Sequence, residues 1–421
     1  MTFEDRPNLH NEVRPDVRRP DFLEGMRGLA AWMVVGGHII NTFLPVLAGV
    51  AAGASAGSDP QNWFFFSPLS IIFRAHFAVL FFFLHSGLVL SFRFFVGGRR
   101  HEDLTSAALR RYFRLAIPVS GSVFLAYFLM KFGWFTNVET SIATQSTWLN
   151  SQFNFDPSFF EALKQSFYSN FFATPAATEV SFNSSLWTIQ TELVGSFFVF
   201  ALLGLFGRLK QRWIVYAFWV LLFSNSFIFP FVLGVVLCDA YVQYHDKFLK
   251  QGKWTYPLLI AGLYLGAWTP GSENYWFYKW MSVIVDNGFA EQMQTVGAFF
   301  VILAALVSGG FSELFAKKYF RFFGHISYSV YLLHLAILCS LGCEVYLVAI
   351  KQDLSPSNAI VLASGATIIA VMLLAAVYRK YVDKPSIAFS KWVQKRLFRD
   401  ESHLVDVKNN SIGNLVSEVS T

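Results

Sequence analysis

Two polar residues share one face of the first apolar stretch. Arg27 and His38 lie eleven positions apart in FLEGMRGLAAWMVVGGH. Eleven residues of an α-helix turn through about 1100°, within about 20° of whole turns, so both side chains project from one face about 16 Å apart. Glu24, three residues before Arg27, is placed to pair with it. An imidazole at mid-membrane depth is costly unless it faces a cavity or a partner, so His38 predicts a functional site.

Later apolar stretches carry further polar side chains. Ser86 precedes Gly87 within a run of phenylalanines, where a small pair indicates close helix contact or a lined cavity. Arg111 and Arg114 lie three residues apart at the start of another stretch, so their guanidinium groups project together and suit phosphate oxygens. Glu192 lies about two turns inside a further stretch. Its carboxylate therefore needs a cation or a water-lined environment.

A second intramembrane histidine and three cysteines are less specific. His334 fits a structural role as well as a functional one. Cys238, Cys339 and Cys343 are scattered through apolar runs, which predicts buried thiols and neither a disulfide framework nor a metal cluster.

The composition requires a lipid environment. Hydrophobic residues make up 54% of the 421 residues, aromatic residues 18% and charged residues only 14%, whereas a soluble protein has about 25% charged residues. A soluble domain of this size could not bury so much apolar surface. This excludes a soluble enzyme, a disordered protein and a nucleic-acid binder, and it indicates a bilayer as the solvent.

The apolar stretches predict an all-α integral membrane protein with about ten transmembrane helices. The junction at Ser224-Asn225-Ser226, with Pro230 beyond it, fits either a tight hairpin or one broken helix. The ten predicted stretches are 24–46, 72–95, 113–132, 187–207, 213–224, 227–243, 255–269, 295–311, 327–349 and 358–381.

The basic residues predict the orientation. With both termini in the cytoplasm, 28 of the 33 lysines and arginines fall on cytoplasmic ends, as the positive-inside rule expects. The chain then divides into a polar cytoplasmic arm over 1–21, a transmembrane domain over 22–390, and a cytoplasmic tail over 391–421 that is basic and then disordered. A multi-pass protein of the plasma membrane or an endomembrane is expected.

In this order, the motifs resemble those of the acyltransferase-3 family of integral-membrane acyltransferases, over about 20–390. The segment from Glu24 to Ala31, followed by a glycine-flanked His38, is similar to the family's Leu-Asp-Gly-Leu-Arg-Gly…His signature. Phe81 to Ser91 is similar to the family's Phe-Phe-x-x-Ser-Gly-Phe-x-x-Ser pattern, and Leu186 to Glu192 is similar to its Trp-Ser-Leu-x-x-Glu pattern. Gly324 to His334 is similar to the pattern Gly-x-x-Ser-Tyr-Ser-x-Tyr-Leu-x-His, and Val382 to Pro385 is similar to the acidic-basic-Pro pattern.

The resemblance implies transfer of an acyl group, usually acetyl, from cytoplasmic acyl-CoA to a hydroxyl of an acceptor on the far side of the membrane. The acceptor would be a sugar, a glycolipid or a small metabolite, and no metal and no nucleic acid is implied. His38 would act as general base or carry the acyl group, and Glu192 would polarise His38 or the acceptor. The other site residues expected from the resemblance, which would bind acyl-CoA or line its pocket, are Arg27, Arg111, Arg114 and Ser86.

Two other functions fit the same residues. A proton-coupled secondary transporter would use His38, Arg27 and Glu192 as a relay, but such transporters often contain inverted repeats and the sequence shows none. A membrane protein that has lost catalysis would retain these residues without binding acyl-CoA.

Overall fold

The computed structural model of the protein describes residues 17–48, 63–173, 180–248, 250–281 and 289–397. Across these ranges the chain is helical and contains no β-strand, which confirms the all-α prediction. Most of the predicted N-terminal arm, and the predicted tail beyond residue 397, lie outside the described residues.

Thirteen longer helices account for most of the described chain, and two π-helical turns join four of them into continuous rods. Leu338–Gly342 connects α10 to α11, and Arg379–Asp383 connects α12 to α13. The helices are α1 Phe22–Phe43, α2 Ala75–Val96, α3 His101–Lys131, α4 Trp187–Phe206, α5 Arg212–Leu222, α6 Phe229–Gln243, α7 Thr255–Ala267, α8 Ala290–Val307, α9 Gly309–Ala316, α10 Lys318–Ile337, α11 Cys343–Lys351, α12 Pro356–Tyr378 and α13 Lys384–Leu397.

Further helical segments lie in the connections, most of them between α3 and α4. They are Pro45–Ala48, Pro68–Phe73, Asn137–Thr144, Thr147–Asn150, Phe159–Lys164, Gln165–Ser169, Asn170–Phe172, Ser184–Leu186, His245–Phe248, Gly252–Trp254 and Ser272–Asn274.

Six helices of the described chain are long and apolar enough to cross a membrane. They contain α2, α3, α4, α8, the α10–α11 rod and the α12–α13 rod. Of the other predicted spans, α1 has 22 residues but carries Arg27, His38 and Asn41 within its apolar run. The other three predicted spans correspond to α5, α6 and α7, which have only 11, 15 and 13 residues. Ten crossings and cytoplasmic termini therefore stay predictions.

Glycines bring the site-bearing helices into backbone contact. A Cβ atom on Gly28 would lie 2.4 Å from the backbone nitrogen of Gly324, and one on Gly324 would lie 1.9 Å from the carbonyl oxygen of Glu24. The helices α1 and α10 run parallel from this crossing. In the same way Gly87 of α2 and Gly234 of α6 each face a backbone carbonyl of the other helix. Small residues permit such close approach between membrane helices.

The pair α5 and α6 forms a hairpin, which decides between the two predicted alternatives. The helices are separate, and a turn over 223–228 connects them. Arg212 at the start of α5 meets Asp239 near the end of α6 through two hydrogen bonds. Contact between these distant ends requires the two helices to run antiparallel.

Candidate functional site

The α1–α10 crossing holds Arg27 in a fixed position. Its Nη2 atom donates to the carbonyl oxygen of Gly324 over 2.7 Å, and its Nε atom donates to Oγ of Ser327 over 2.9 Å. Glu24 forms an ion pair with the same guanidinium at 2.9 Å, which confirms the predicted pairing. Because the glycine positions let the two backbones touch, the guanidinium reaches α10 immediately beside the crossing.

Arg111, Glu192 and Ser86 form a hydrogen-bonded cluster between α2, α3 and α4. Arg111 donates through Nη2 to Oε1 of Glu192 and through Nε to Oγ of Ser196, 2.7 Å away. Ser86 donates to the same Oε1 atom over 2.8 Å. Glu192 thus has the cationic partner that its depth was predicted to require. Arg111 is buried, and its charge is already matched by this carboxylate.

A cavity of about 190 Å³ lies among these helices. The charged groups that line it converge from α1, α3, α4 and the turn after α12, beside the apolar side chains of α2. Polar groups that converge on a pocket with apolar walls are typical of a ligand site. Five of the six predicted site residues line this cavity, namely Arg27, Ser86, Arg111, Arg114 and Glu192.

Arg114 differs from the other two arginines of the cavity. It is exposed, and it forms no hydrogen bond and no ion pair with any described residue. Arg27 and Arg111 both have carboxylate partners within hydrogen-bonding distance. The guanidinium of Arg114 is therefore the one most available to an anionic ligand. Asp383 lines the same cavity and carries the opposite charge.

His38 does not line the cavity. Its Nδ1 atom lies 2.8 Å from Nε2 of His334, and its ring is parallel to that of Trp148, with centroids 5.1 Å apart. Phe82 and Tyr331 line the cavity, and their rings pack edge to face at 6.1 Å. Tyr331 connects the two regions, because its backbone carbonyl accepts a hydrogen bond from His334.

The structure places the predicted site residues in two groups. Glu192 binds Arg111 and does not contact His38. Arg111 and Arg114 line one cavity, as their spacing predicted, but among the described residues Arg111 has a carboxylate partner and Arg114 has none. The relay of His38, Arg27 and Glu192 expected for a transporter is not assembled, because His38 lies outside the cavity that holds the other two.

Two histidines near the site were not predicted to belong to it. His85 lines the cavity, is only 3% exposed, and its Nε2 atom has no hydrogen-bond partner among the described residues. His334 is fully buried against His38. Both lie within the motifs that the sequence analysis singled out, so histidine inside a glycine- or serine-rich membrane motif was the available signal. Within the described ranges, no three His, Cys, Asp or Glu side chains gather as metal ligands would.

Comparisons with known proteins agree with the motifs. The sequence model of the acyltransferase-3 family, described as an acyltransferase domain, matches residues 21–377. The chain is similar to the O-acetyltransferase PaAT-1 of Phomopsis amygdali, with 22% identity over 460 residues that cover 94% of this chain and 89% of that protein. No solved structure matches the chain. Because the family match covers most of the sequence, the protein belongs to the acyltransferase-3 family of membrane acyltransferases.

Proposed function

We propose that the protein transfers an acetyl group from acetyl-CoA, or another acyl group from its CoA thioester, to a hydroxyl group of a second substrate. The free guanidinium of Arg114 in a cavity beside a histidine pair is the observation that carries this proposal. Family membership supports acyl transfer, and the named activity of the Phomopsis amygdali relative supports acetyl transfer to oxygen.

Arg114 is the group that would bind a phosphate of CoA. Guanidinium binds phosphate oxygens through paired N–H donors, and no described residue occupies those donors here. A cavity of about 190 Å³ is smaller than the sites of drug-sized ligands, which begin at about 300 Å³. It would admit the narrow acyl-pantetheine arm while the nucleotide stays outside. Arg111 and Arg27 would shape the cavity instead of binding phosphate directly.

His38 would perform the chemistry at the far end of the arm, as general base or as acyl carrier. Tyr331 lines the cavity, and its backbone carbonyl accepts from His334, the partner of His38, so the thioester would approach the imidazole past Tyr331. Trp148, from the connection between α3 and α4, stacks on the ring of His38. The acceptor, a sugar, a glycolipid or a small hydroxylated metabolite, would approach from there, on the extracytoplasmic side of a plasma membrane or endomembrane.

Arg114→Ala tests the donor half of this proposal. Membranes that contain the protein are supplied with [¹⁴C]acetyl-CoA and an extract of the source cells, and the label transferred to acceptor is measured. Loss of one charged phosphate contact should raise the KM for acetyl-CoA about tenfold, since a hydrogen bond to a charged group is worth about 1.5–3 kcal/mol. The KM for 3′-dephospho-CoA thioester identifies which phosphate is bound.

Arg110→Ala is the matched control, because Arg110 is the neighbouring arginine of α3 but does not line the cavity. Equal KM values for the two variants would remove Arg114 from donor binding. Absence of transfer by the wild-type protein would overturn acyl-CoA as the donor. Comparing acetylated glycans and metabolites between a deletion strain and its parent would then identify the acceptor class.

A further inference from the structure

The half-buried His38 and the buried His334 meet in a single plane. Nδ1 of His38 lies 2.8 Å from Nε2 of His334, the ring planes differ by 2°, and the ring centroids are 5.0 Å apart. This centroid distance is close to the N···N distance plus two ring radii. The rings therefore meet edge to edge, with the hydrogen bond lying in both ring planes, and they are not stacked face to face.

The backbone decides which nitrogen of His334 carries the proton. Nδ1 of His334 lies 2.8 Å from the carbonyl oxygen of Tyr331 and 3.2 Å from that of Val330. Carbonyl oxygens only accept hydrogen bonds, so Nδ1 must be the N–H donor. A neutral imidazole has one donor and one acceptor, which leaves Nε2 of His334 as an acceptor.

The proton positions of His38 follow from this. Because Nε2 of His334 accepts, the 2.8 Å contact requires Nδ1 of His38 to be the donor. A doubly protonated His334 would reverse the assignment, but it would place a full charge on a ring with no exposed surface and no carboxylate partner among the described residues. In neutral His38 the lone pair then lies on Nε2, which makes no hydrogen bond with any described residue.

We propose that His334 is a positioning residue, which holds His38 in the tautomer whose free Nε2 acts as the general base. This inference rests on the proposed acyl transfer. The acceptor oxygen attacks the thioester carbonyl carbon while its proton passes to Nε2 of His38. The C–S bond then breaks, and the CoA thiolate leaves and takes that proton from Nε2, so the imidazole returns to its starting state. Nδ1 keeps its proton and its bond to His334 throughout.

Two variants of His334 separate this role from simple packing. The amide of His334→Gln can place an oxygen near the former Nε2 position, where it accepts from His38. The shorter amide of His334→Asn reaches only the former Nδ1 position, beside the carbonyl of Tyr331. We expect His334→Asn to lower kcat about 100-fold, as loss of a correctly oriented base does, with an unchanged KM for acetyl-CoA. His334→Gln should recover at least a tenth of the wild-type kcat.

The tautomer itself is measured by solid-state NMR of protein labelled with ¹⁵N-histidine, because protonated and unprotonated ring nitrogens have well-separated ¹⁵N signals. The signals of His38 are identified by their absence in His38→Asn. Wild-type protein should show Nδ1–H and an unprotonated Nε2, and His334→Asn should show a mixture of tautomers.

Each outcome decides a different point. Equal kcat values for His334→Asn and the wild-type enzyme would overturn the positioning role, and so would equal losses of kcat in His334→Asn and His334→Gln accompanied by equal losses of folded protein. A wild-type His38 that carries its proton on Nε2 would overturn the tautomer directly. Absence of acetyl transfer by wild-type protein, with the expected NMR tautomer, would refute the proposed function while leaving the histidine arrangement intact.

Discussion

Two arginine–carboxylate pairs lie among the helices, and they differ in what surrounds them. In the α5–α6 hairpin, Arg212 donates to both oxygens of Asp239, and Tyr216 donates to the same carboxylate. The side chains of Arg212 and Asp239 are 0% and 1% exposed. In the cavity, Arg111 donates to one oxygen of Glu192, and these side chains are 10% and 16% exposed.

A buried ion pair alone therefore does not mark a functional site. The Arg212–Asp239 pair is enclosed by its neighbours, including Arg99 at 3.8 Å from the carboxylate. The Arg111–Glu192 pair borders a cavity and leaves Oε2 of Glu192 without a described donor. We call Arg212–Asp239 the closed pair and Arg111–Glu192 the open pair. We expect the closed pair to determine whether the protein folds and the open pair to determine whether it transfers acetyl groups.

Asp239→Ala should give the largest effect on folding. It leaves the buried guanidinium of Arg212 without a counter-charge, and breaking such a pair costs about 3–5 kcal/mol. We expect little monodisperse protein in detergent and a clearly lower unfolding midpoint, measured by size-exclusion chromatography after heating. The double variant Arg212→Met with Asp239→Leu removes both charges and should recover part of the loss. A single variant as stable as wild type would contradict the structural role of this pair.

Glu192→Gln should reduce acetyl transfer more than it reduces stability, the reverse of what we expect for Asp239→Ala. The amide still accepts from Ser86 but no longer neutralises Arg111, which is then free to compete for the anionic substrate. We expect acetyl transfer to fall at least about tenfold, since a hydrogen bond between charged groups is worth about 1.5–3 kcal/mol. The unfolding midpoint should fall less than in Asp239→Ala, because the cavity lets water reach the guanidinium. Glu313→Gln, at an exposed carboxylate of α9, is the control. A stability loss in Glu192→Gln as large as that in Asp239→Ala would contradict the proposed difference between the two ion pairs.

Much of the fold could be predicted because apolar length is a local property of the sequence. The predicted stretch 187–207 became Trp187–Phe206, and 255–269 became Thr255–Ala267. The predicted stretch 113–132 covers only the apolar part of α3, which begins at His101. Its first turns carry Glu102 and Asp103, which a hydropathy pattern excludes although the amphipathic helix continues through them.

The site was less predictable because partner choice depends on how distant helices pack. Helical spacing correctly placed Arg27 beside Glu24, three residues away. No local pattern indicates that Arg111 would reach Glu192, 81 residues later, or that Asp239 would meet Arg212. The same limit applies to His38 and His334, which are 296 residues apart and meet only because glycines bring α1 and α10 into contact.

The smallest and most discriminating change removes one hydrogen bond from each carboxylate. Tyr216→Phe deletes the donor 3.2 Å from Asp239, and Ser86→Ala deletes the donor 2.8 Å from Glu192. Each loss should cost about 1 kcal/mol wherever the bond matters. Tyr216→Phe should therefore lower the unfolding midpoint slightly and leave acetyl transfer unchanged. Ser86→Ala should slow transfer about fivefold, since Glu192 is then less firmly held, with little change in the midpoint. If the two variants change the unfolding midpoint and acetyl transfer alike, the closed and open pairs have the same role. The cavity would then not be identified as the site of acetyl transfer.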